Sequence, residues 1–209
     1  MTNAQLHPTS VAASLAGKRH FEIEISGFGG QGVIMSANIL GRVATVEENR
    51  NAVMTQSYGP ESRGGSCRAA VIIDDGEIGF PRVTDPDVMI ILSAAAFDKY
   101  APKRTPRTIL IVEENLIAPG SKEAADPNIL TVPATRIADD LGRRIVMNII
   151  ILGFFCGTTE LMSPEALRRG ICKSVPSHTE ELNMRAFEAG LNYALKTRSQ
   201  AIKSVEAPS

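Results

Sequence analysis

The chain has 209 residues, 44% of them hydrophobic, and a formal net charge of −1. That length buries one sizeable core and reads as a single domain with tails. The near-neutral charge and the absence of Trp exclude a basic, base-stacking face, so no nucleic-acid partner is expected.

Residues 1–19 mix Thr, Asn, Ser, Ala and Pro without a period and read as a flexible arm. They lack the basic and long apolar regions of a leader peptide, which predicts a cytoplasmic protein. Phe21, Ile23 and Ile25 alternate with Glu22 and Glu24, the pattern of a strand with one buried face. The strand runs into Gly27, Gly29 and Gly32 at the spacing G-x-G-x-x-G, where bare backbone turns sharply and presents N–H groups. A helix is expected from about Gly32 to Ala44, and a short strand over Asn51–Gln56.

Cys67–Ile73 and Glu77–Phe80 flank Asp74-Asp75-Gly76, which predicts a hairpin. Asp87–Ser93, Thr108–Val112 and Ile129–Val132 read as further strands, with a short helix over Ala94–Tyr100. Two helices follow, Thr135–Leu141 and Arg143–Phe155. The apolar run Ile145–Cys156 is too short to span a bilayer and contains Asn148, so no membrane is expected. Ser163-Pro164-Glu165 is a helix start with a cap, a proline at the first position and an acidic first turn. The last helix is expected over Thr179–Thr197, capped by Thr179, and 199–209 is expected to be a frayed tail. Strands alternating with helices give an α/β fold. The expectation is a single three-layer α/β/α domain over 20–198, with a mostly parallel, mixed sheet and a Rossmann-like first βα unit.

The glycine turn alone leaves three readings open. It is a tight strand–helix connection, a dinucleotide fingerprint, or part of a surface for another chain. The dinucleotide reading needs an acidic residue at the end of the second strand, and Met54-Thr55-Gln56-Ser57 supplies none. A second stiff segment, Tyr58-Gly59-Pro60-Glu61-Ser62-Arg63-Gly64-Gly65, bends sharply at both ends and presents Glu61 and Arg63. Arg63 offers a planar fork for a phosphate or carboxylate. In a parallel sheet this loop and the glycine turn would share the rim at the carboxyl ends of the strands.

The three histidines, His7, His20 and His178, stand alone, without a neighbouring nucleophile or metal-ligand spacing. Cys67, Cys156 and Cys172 form no C-x-x-C pair, so the chain by itself is expected to hold no metal or iron–sulfur cluster. Scattered cysteines fit a reducing cytosol. Cys67 reads as a small buried hydrophobe. Asn148 and Asn183 read as buried amides that satisfy backbone groups or a partner.

Gly29-Gly30-Gln31-Gly32, Tyr58-Gly59-Pro60-Glu61 with Arg63-Gly64-Gly65, Pro81, Pro86-Asp87 and Asn183, in this order, resemble one family. It is the gamma subunit of 2-oxoacid:ferredoxin oxidoreductases, the pyruvate/ketoisovalerate oxidoreductase catalytic domain, and the similarity covers about residues 20–195. Gln56–Ala70 looks closest to the 2-oxoglutarate type. The resemblance implies a component of a complex that decarboxylates a 2-oxoacid, joins the acyl group to coenzyme A and passes electrons to ferredoxin. It implies alpha and beta partners holding thiamine diphosphate and Mg²⁺, and a ferredoxin-like delta partner carrying iron–sulfur clusters. No thiamine-anchoring G-D-G with a later Asn-Asn is present, so no catalytic residue is expected and the chain should not turn over substrate alone. Gly27, Gly29, Gly30, Gln31, Gly32, Tyr58, Gly59, Pro60, Glu61, Arg63, Gly64 and Gly65 are the expected cofactor-binding or interface residues. Two rivals stand beside this reading: a stand-alone Rossmann-type nucleotide-binding oxidoreductase, and a ligand-free interaction subunit.

Overall fold

The computed structural model describes residues 8–59 and 65–206. Its centre is a six-stranded sheet in the order β2-β3-β1-β4-β5-β6. The strands are β1 (His20–Phe28), β2 (Asn51–Tyr58), β3 (Ser66–Asp74), β4 (Val88–Ile91), β5 (Ile109–Glu113) and β6 (Ile129–Val132). β1, β4, β5 and β6 run parallel, whereas β3 lies antiparallel to both β1 and β2. The sheet is therefore mixed, as expected, but the expected hairpin at Asp74–Gly76 is absent. Both sides of β3 are already taken, with Asp74 opposite His20 on β1 and opposite Asn51 on β2. No ladder is left for Glu77–Phe80. Asp74 Oδ1 instead accepts the Gly76 N–H at 2.7 Å and ends the strand in a local turn.

Alternation along the strands sorts the sheet into two unlike faces. Phe21, Ile23 and Ile25 of β1, with Val71, Ile73, Val88, Ile90, Ile109 and Ile111, face the large core. Packed there are α1 (Pro8–Leu15), α2 (Val33–Arg42), α4 (Ala134–Asp140), α5 (Met147–Thr159), α6 (Pro164–Cys172) and α7 (Glu180–Glu206). The other face is thinner. Met89, Ile91, Leu110 and Val112 pack under α3 (Ala94–Tyr100), and Ala70 and Ile72 under Val83. Here Glu24 is buried and paired to Arg68, and Glu22 Oε2 accepts the Thr84 and Asp85 N–H groups at 3.0 and 3.2 Å.

α5 is buried along almost its whole length, from Asn148 to Thr159. It is an inner helix with α7 pressed on its outer side. A Cβ built on Gly190 would stand 1.9 Å from the Ile150 carbonyl oxygen, and one on Gly153 2.1 Å from that of Phe187. Glycine at these contacts lets the two backbones approach. The apolar run is thus explained by burial inside the helical layer, and no described helix is long and apolar enough to cross a membrane.

Several boundaries differ from expectation. Pro8–Leu15, expected to be part of an irregular arm, is a helix with Val11 and Leu15 buried against α5 and α7. α2 continues as a π-helical turn over Val43–Glu47. Helix α7 extends to Glu206, well into the expected tail. The Thr179 hydroxyl donates to the Pro176 carbonyl rather than capping α7. Ser163 does cap α6, accepting the Ala166 N–H at 3.2 Å.

Candidate functional site

β1, β2, β4, β5 and β6 all point the same way, so their carboxyl ends form one rim. β1 delivers the glycine turn to it, and Gly59 and Gly65, which flank the β2–β3 connection, reach the same rim. The Gly29 N–H donates to the Gly65 carbonyl at 3.0 Å, and the Gly59 N–H to that of Ser66 at 2.7 Å. Gly29 thus lies against Gly65, and Tyr58 and Gly59 lie one strand further along the same rim. Pro60, Glu61, Arg63 and Gly64 lie outside the described residues.

The turn has a specific internal construction. Gln31 Oε1 accepts the Phe28 N–H at 2.7 Å, and its Nε2 donates to the Leu92 carbonyl at 2.9 Å. Leu92 N–H in turn donates to the Ser26 carbonyl at 2.8 Å. α2 leaves β1 towards the thick face, whereas α3 leaves β4 towards the thin one, so the crevice between β1 and β4 is the topological switch point of the sheet. Gln31 spans that crevice.

Two of the three patterned glycines serve this packing. A Cβ on Gly27 would lie 2.6 Å from Gln31 Oε1 and 3.0 Å from the Leu92 Cβ. Gly32 has φ +78°, and a Cβ there would stand 2.5 Å from Asn148 Nδ2. Asn148 is 3% exposed and donates to Ser36 Oγ at 3.4 Å, so it is a buried amide wedged against the start of α2. Gly30, with φ +95°, is exposed, and a Cβ built on it would meet nothing within 4 Å.

This geometry argues against the dinucleotide reading. In that fold the second strand lies beside the first, so its terminal acid reaches the ribose. Here β3 intervenes between β1 and β2, and the crevice is filled by the protein's own Gln31.

Apolar side chains flank the rim. Phe28 is 39% exposed, Tyr58 64% and Ile145 79%. Ile145, the first residue of the apolar run, precedes α5 in a 3₁₀ turn and is exposed. It borders a groove of about 390 Å³ together with Gly30, Gln31, Thr135, Ala138 and Met147. Sequence reasoning missed Phe28 as well. Its signal was phase, because Phe28 falls in the series Glu22, Glu24, Ser26 on the polar side of β1.

Deeper in the rim, Glu113 ends β5 and is buried, accepting the Thr135 N–H at 2.8 Å and Asn115 Nδ2 at 3.2 Å. Burial pushes its carboxyl above the ordinary range against the pull of the Thr135 N–H. Two of the three cysteines, Cys67 and Cys156, are buried and inert in this setting. Burial raises the Cys67 thiol, and pushes that of Cys156 up to about 12. Asn183 Nδ2 donates to the Thr179 carbonyl at 2.9 Å, as a buried amide should. His20 Nδ1 lies 2.6 Å from Asp74 Oδ2, at the amino end of β1 and far from the rim. Among the described residues no three His, Cys, Asp or Glu side chains gather as a metal site would require.

Comparisons with known proteins agree with one another. Residues 22–193 match the family described as pyruvate ferredoxin/flavodoxin oxidoreductase. The chain is 42% identical to the 2-oxoglutarate synthase subunit KorC of Methanocaldococcus jannaschii, over 85% of this chain and 95% of that one. A crystal structure of the gamma subunit of a keto/oxoacid ferredoxin oxidoreductase from Geobacter sulfurreducens superposes with TM-score 0.69. It is 35% identical and covers 84% of this chain and 99% of its own. Subunit PORC of pyruvate oxidoreductase from Thermotoga maritima gives TM-score 0.67 at 26% identity, covering 84% and 97%.

Proposed function

Because the chain belongs to the pyruvate ferredoxin/flavodoxin oxidoreductase family, we propose that it is the gamma-type subunit of a cytoplasmic 2-oxoacid:ferredoxin oxidoreductase whose substrate is 2-oxoglutarate. The substrate assignment is supported by 42% identity to a 2-oxoglutarate synthase subunit against 30% to a pyruvate synthase subunit. In this reading alpha and beta subunits hold thiamine diphosphate and Mg²⁺, and a ferredoxin-like delta subunit passes electrons to ferredoxin. Thiamine diphosphate supplies the carbanion chemistry there, and this chain supplies none of its own. The folded unit over 20–198 acts in assembly and in coenzyme A access, with Pro8–Leu15 packed onto it.

The observation that carries this reading is the Gly29–Gly65 hydrogen bond, which joins two glycine-rich segments into one surface between exposed Phe28 and Tyr58. Bare backbone lets another chain approach closely, and the aromatic side chains supply the area that anchors an interface. Gly30 and the neighbouring Gly29 and Gln31 would form the backbone part of that contact. Arg63, between the two bends in sequence, would meet an anionic group, either a carboxylate of a partner or a phosphate of coenzyme A.

The test is the assembled complex carrying Arg63→Ala, assayed by 2-oxoglutarate-dependent viologen reduction and by the stoichiometry of co-purifying subunits. A raised KM for coenzyme A or a lost subunit is expected, and unchanged assembly and kinetics would remove the assignment. The ligand-free reading has one observation in its favour, the Gln31 side chain filling the switch-point crevice. It predicts a change in assembly with no change in coenzyme A dependence.

A further inference from the structure

Among the described residues the sheet ends at β2, which pairs with β3 alone, Asn51 opposite Asp74 and Tyr58 opposite Cys67. Two hydrogen bonds set the phase of the backbone there. Gly59 N–H reaches the Ser66 carbonyl on the β2 side of β3, whereas the Gly65 carbonyl is turned to Gly29 on the β1 side. In an antiparallel ladder these directions alternate along each strand. Asn51, Val53, Thr55 and Ser57 therefore aim their backbone groups at β3. Ala52, Met54, Gln56 and Tyr58 aim theirs away from the sheet.

Natural sheets blunt such an edge with charges, proline, a bulge or shortness. The opposite edge follows that rule, because β6 has 4 residues. β2 does not. It has 8 residues, Asn-Ala-Val-Met-Thr-Gln-Ser-Tyr, with no proline and no charge, in a chain whose residues are 22% charged.

The strand is also complementary to itself. In an antiparallel register centred on Thr55, Ala52 faces Tyr58 of a second copy and Met54 faces Gln56. Each such pair exchanges both backbone bonds, so every outward group from Ala52 to Tyr58 is satisfied. A two-fold axis sets the strand's side chains beside their own kind, so a Lys or Glu near the centre would meet a like charge. The uncharged sequence avoids this. A strand of a different chain would be bound by no such like-charge constraint, so the missing charge favours a second copy related by a two-fold axis.

We propose that β2 pairs antiparallel with β2 of a second copy of this chain about a two-fold axis at Thr55, making one continuous sheet through both. The two carboxyl rims then point in opposite directions, and each stays open to other subunits. This goes beyond the proposed function and stands without it.

The test uses the assembled complex with Thr55→Cys in a Cys172→Ser background, Cys67 and Cys156 being buried. Thr55 is exposed and would face its own copy in a non-hydrogen-bonded pair, where Cα atoms lie about 4.5 Å apart, within disulfide reach. Mild oxidation is expected to give a covalent dimer of this chain. Thr55→Lys, which folds as readily at an exposed site, is expected to halve the copies per particle in mass photometry while oxoacid-dependent activity remains. An introduced thiol that stays reduced, or that bonds to a different polypeptide, would overturn the proposal. So would a Thr55→Lys particle that keeps both copies. Failure of the rim reading would show separately, as partner subunits insensitive to changes at Phe28, Tyr58 and Arg63.

Discussion

Gln31 Nε2 donates to the Leu92 carbonyl at 2.9 Å, and through that bond one side chain ties the end of β1 to the end of β4. Its Oε1 accepts the Phe28 N–H at the same time, so the glycine turn is braced by its own side chain. Gln31→Ala leaves the Phe28 N–H and the Leu92 carbonyl unpartnered, at a cost of about 1–2 kcal/mol. A fall in Tm of about 4 °C is expected in calorimetry, with weaker binding of partner subunits. An unchanged Tm would mean that water replaces the side chain at no loss.

Gly32→Ala meets two separate obstacles, the positive φ and the Asn148 amide. The left-handed backbone costs an alanine about 1–2 kcal/mol, and the overlap adds a comparable amount. Gly30→Ala carries only the first, having nothing within 4 Å. Denaturant midpoints should therefore fall further for Gly32→Ala than for Gly30→Ala. Adding Asn148→Ala should recover part of that difference but not the backbone share. Equal effects at the two glycines would contradict the contact.

Gly190→Ala drives a methyl group into the Ile150 carbonyl at the α5–α7 crossing. Backbone cannot rotate aside as a side chain does, so a loss near 3 kcal/mol is expected, with Tm lower by about 10 °C. Gly79→Ala, with open space around it, is the control and should change Tm by less than about 2 °C.

The pH dependence has a defined sign. The folded protein raises Glu113 above its ordinary value of 4.5 through burial. The native state therefore holds the proton more tightly than the unfolded chain. The associated stability is complete below about pH 4.5 and disappears as pH rises through the native value. Glu47, held low by Arg169 and Lys173, and Asp74, held low by the Gly76 N–H and His20, act oppositely. Their contribution is present above the ordinary carboxylate range and is lost as pH falls through their native values. Urea midpoints of Glu113→Gln against wild type should move in favour of the variant as pH rises from about 4.5 to 7. A constant gap would place the ionisation elsewhere.

Phe28→Ala with Ile145→Ala removes two exposed apolar side chains from the rim. The expected result is an unchanged Tm for the chain and at least tenfold weaker association with partner subunits in a titration, as for truncation of interface anchors. Retained affinity would move the interface off this rim.

Local patterns in the amino-acid order settled most of the elements. Ile129–Val132 is a strand over the residues expected, and Ser163-Pro164-Glu165 starts a helix through the expected cap. The alternation of Phe21, Ile23 and Ile25 with glutamates fixed which face of β1 meets the large core, although Glu24 and Ser26 on the other face are buried as well. Such signals depend on neighbours in sequence, and they survive because nothing distant competes with them. Pairing was different. Asp74-Asp75-Gly76 carries a hairpin signal, yet β3 is claimed on both sides by β1 and β2, a competition between strands that no local window contains. Gln31 is one polar residue among glycines until Leu92 arrives opposite it from β4. Ile145 is the first residue of an apolar run, yet the 3₁₀ turn places it outside α5. The order of residues determined which segments are stiff, apolar or bent. Only their assembly decided which crevice is filled, which edge is left open and which side chains stand at the rim, because those depend on contacts between segments far apart in the chain.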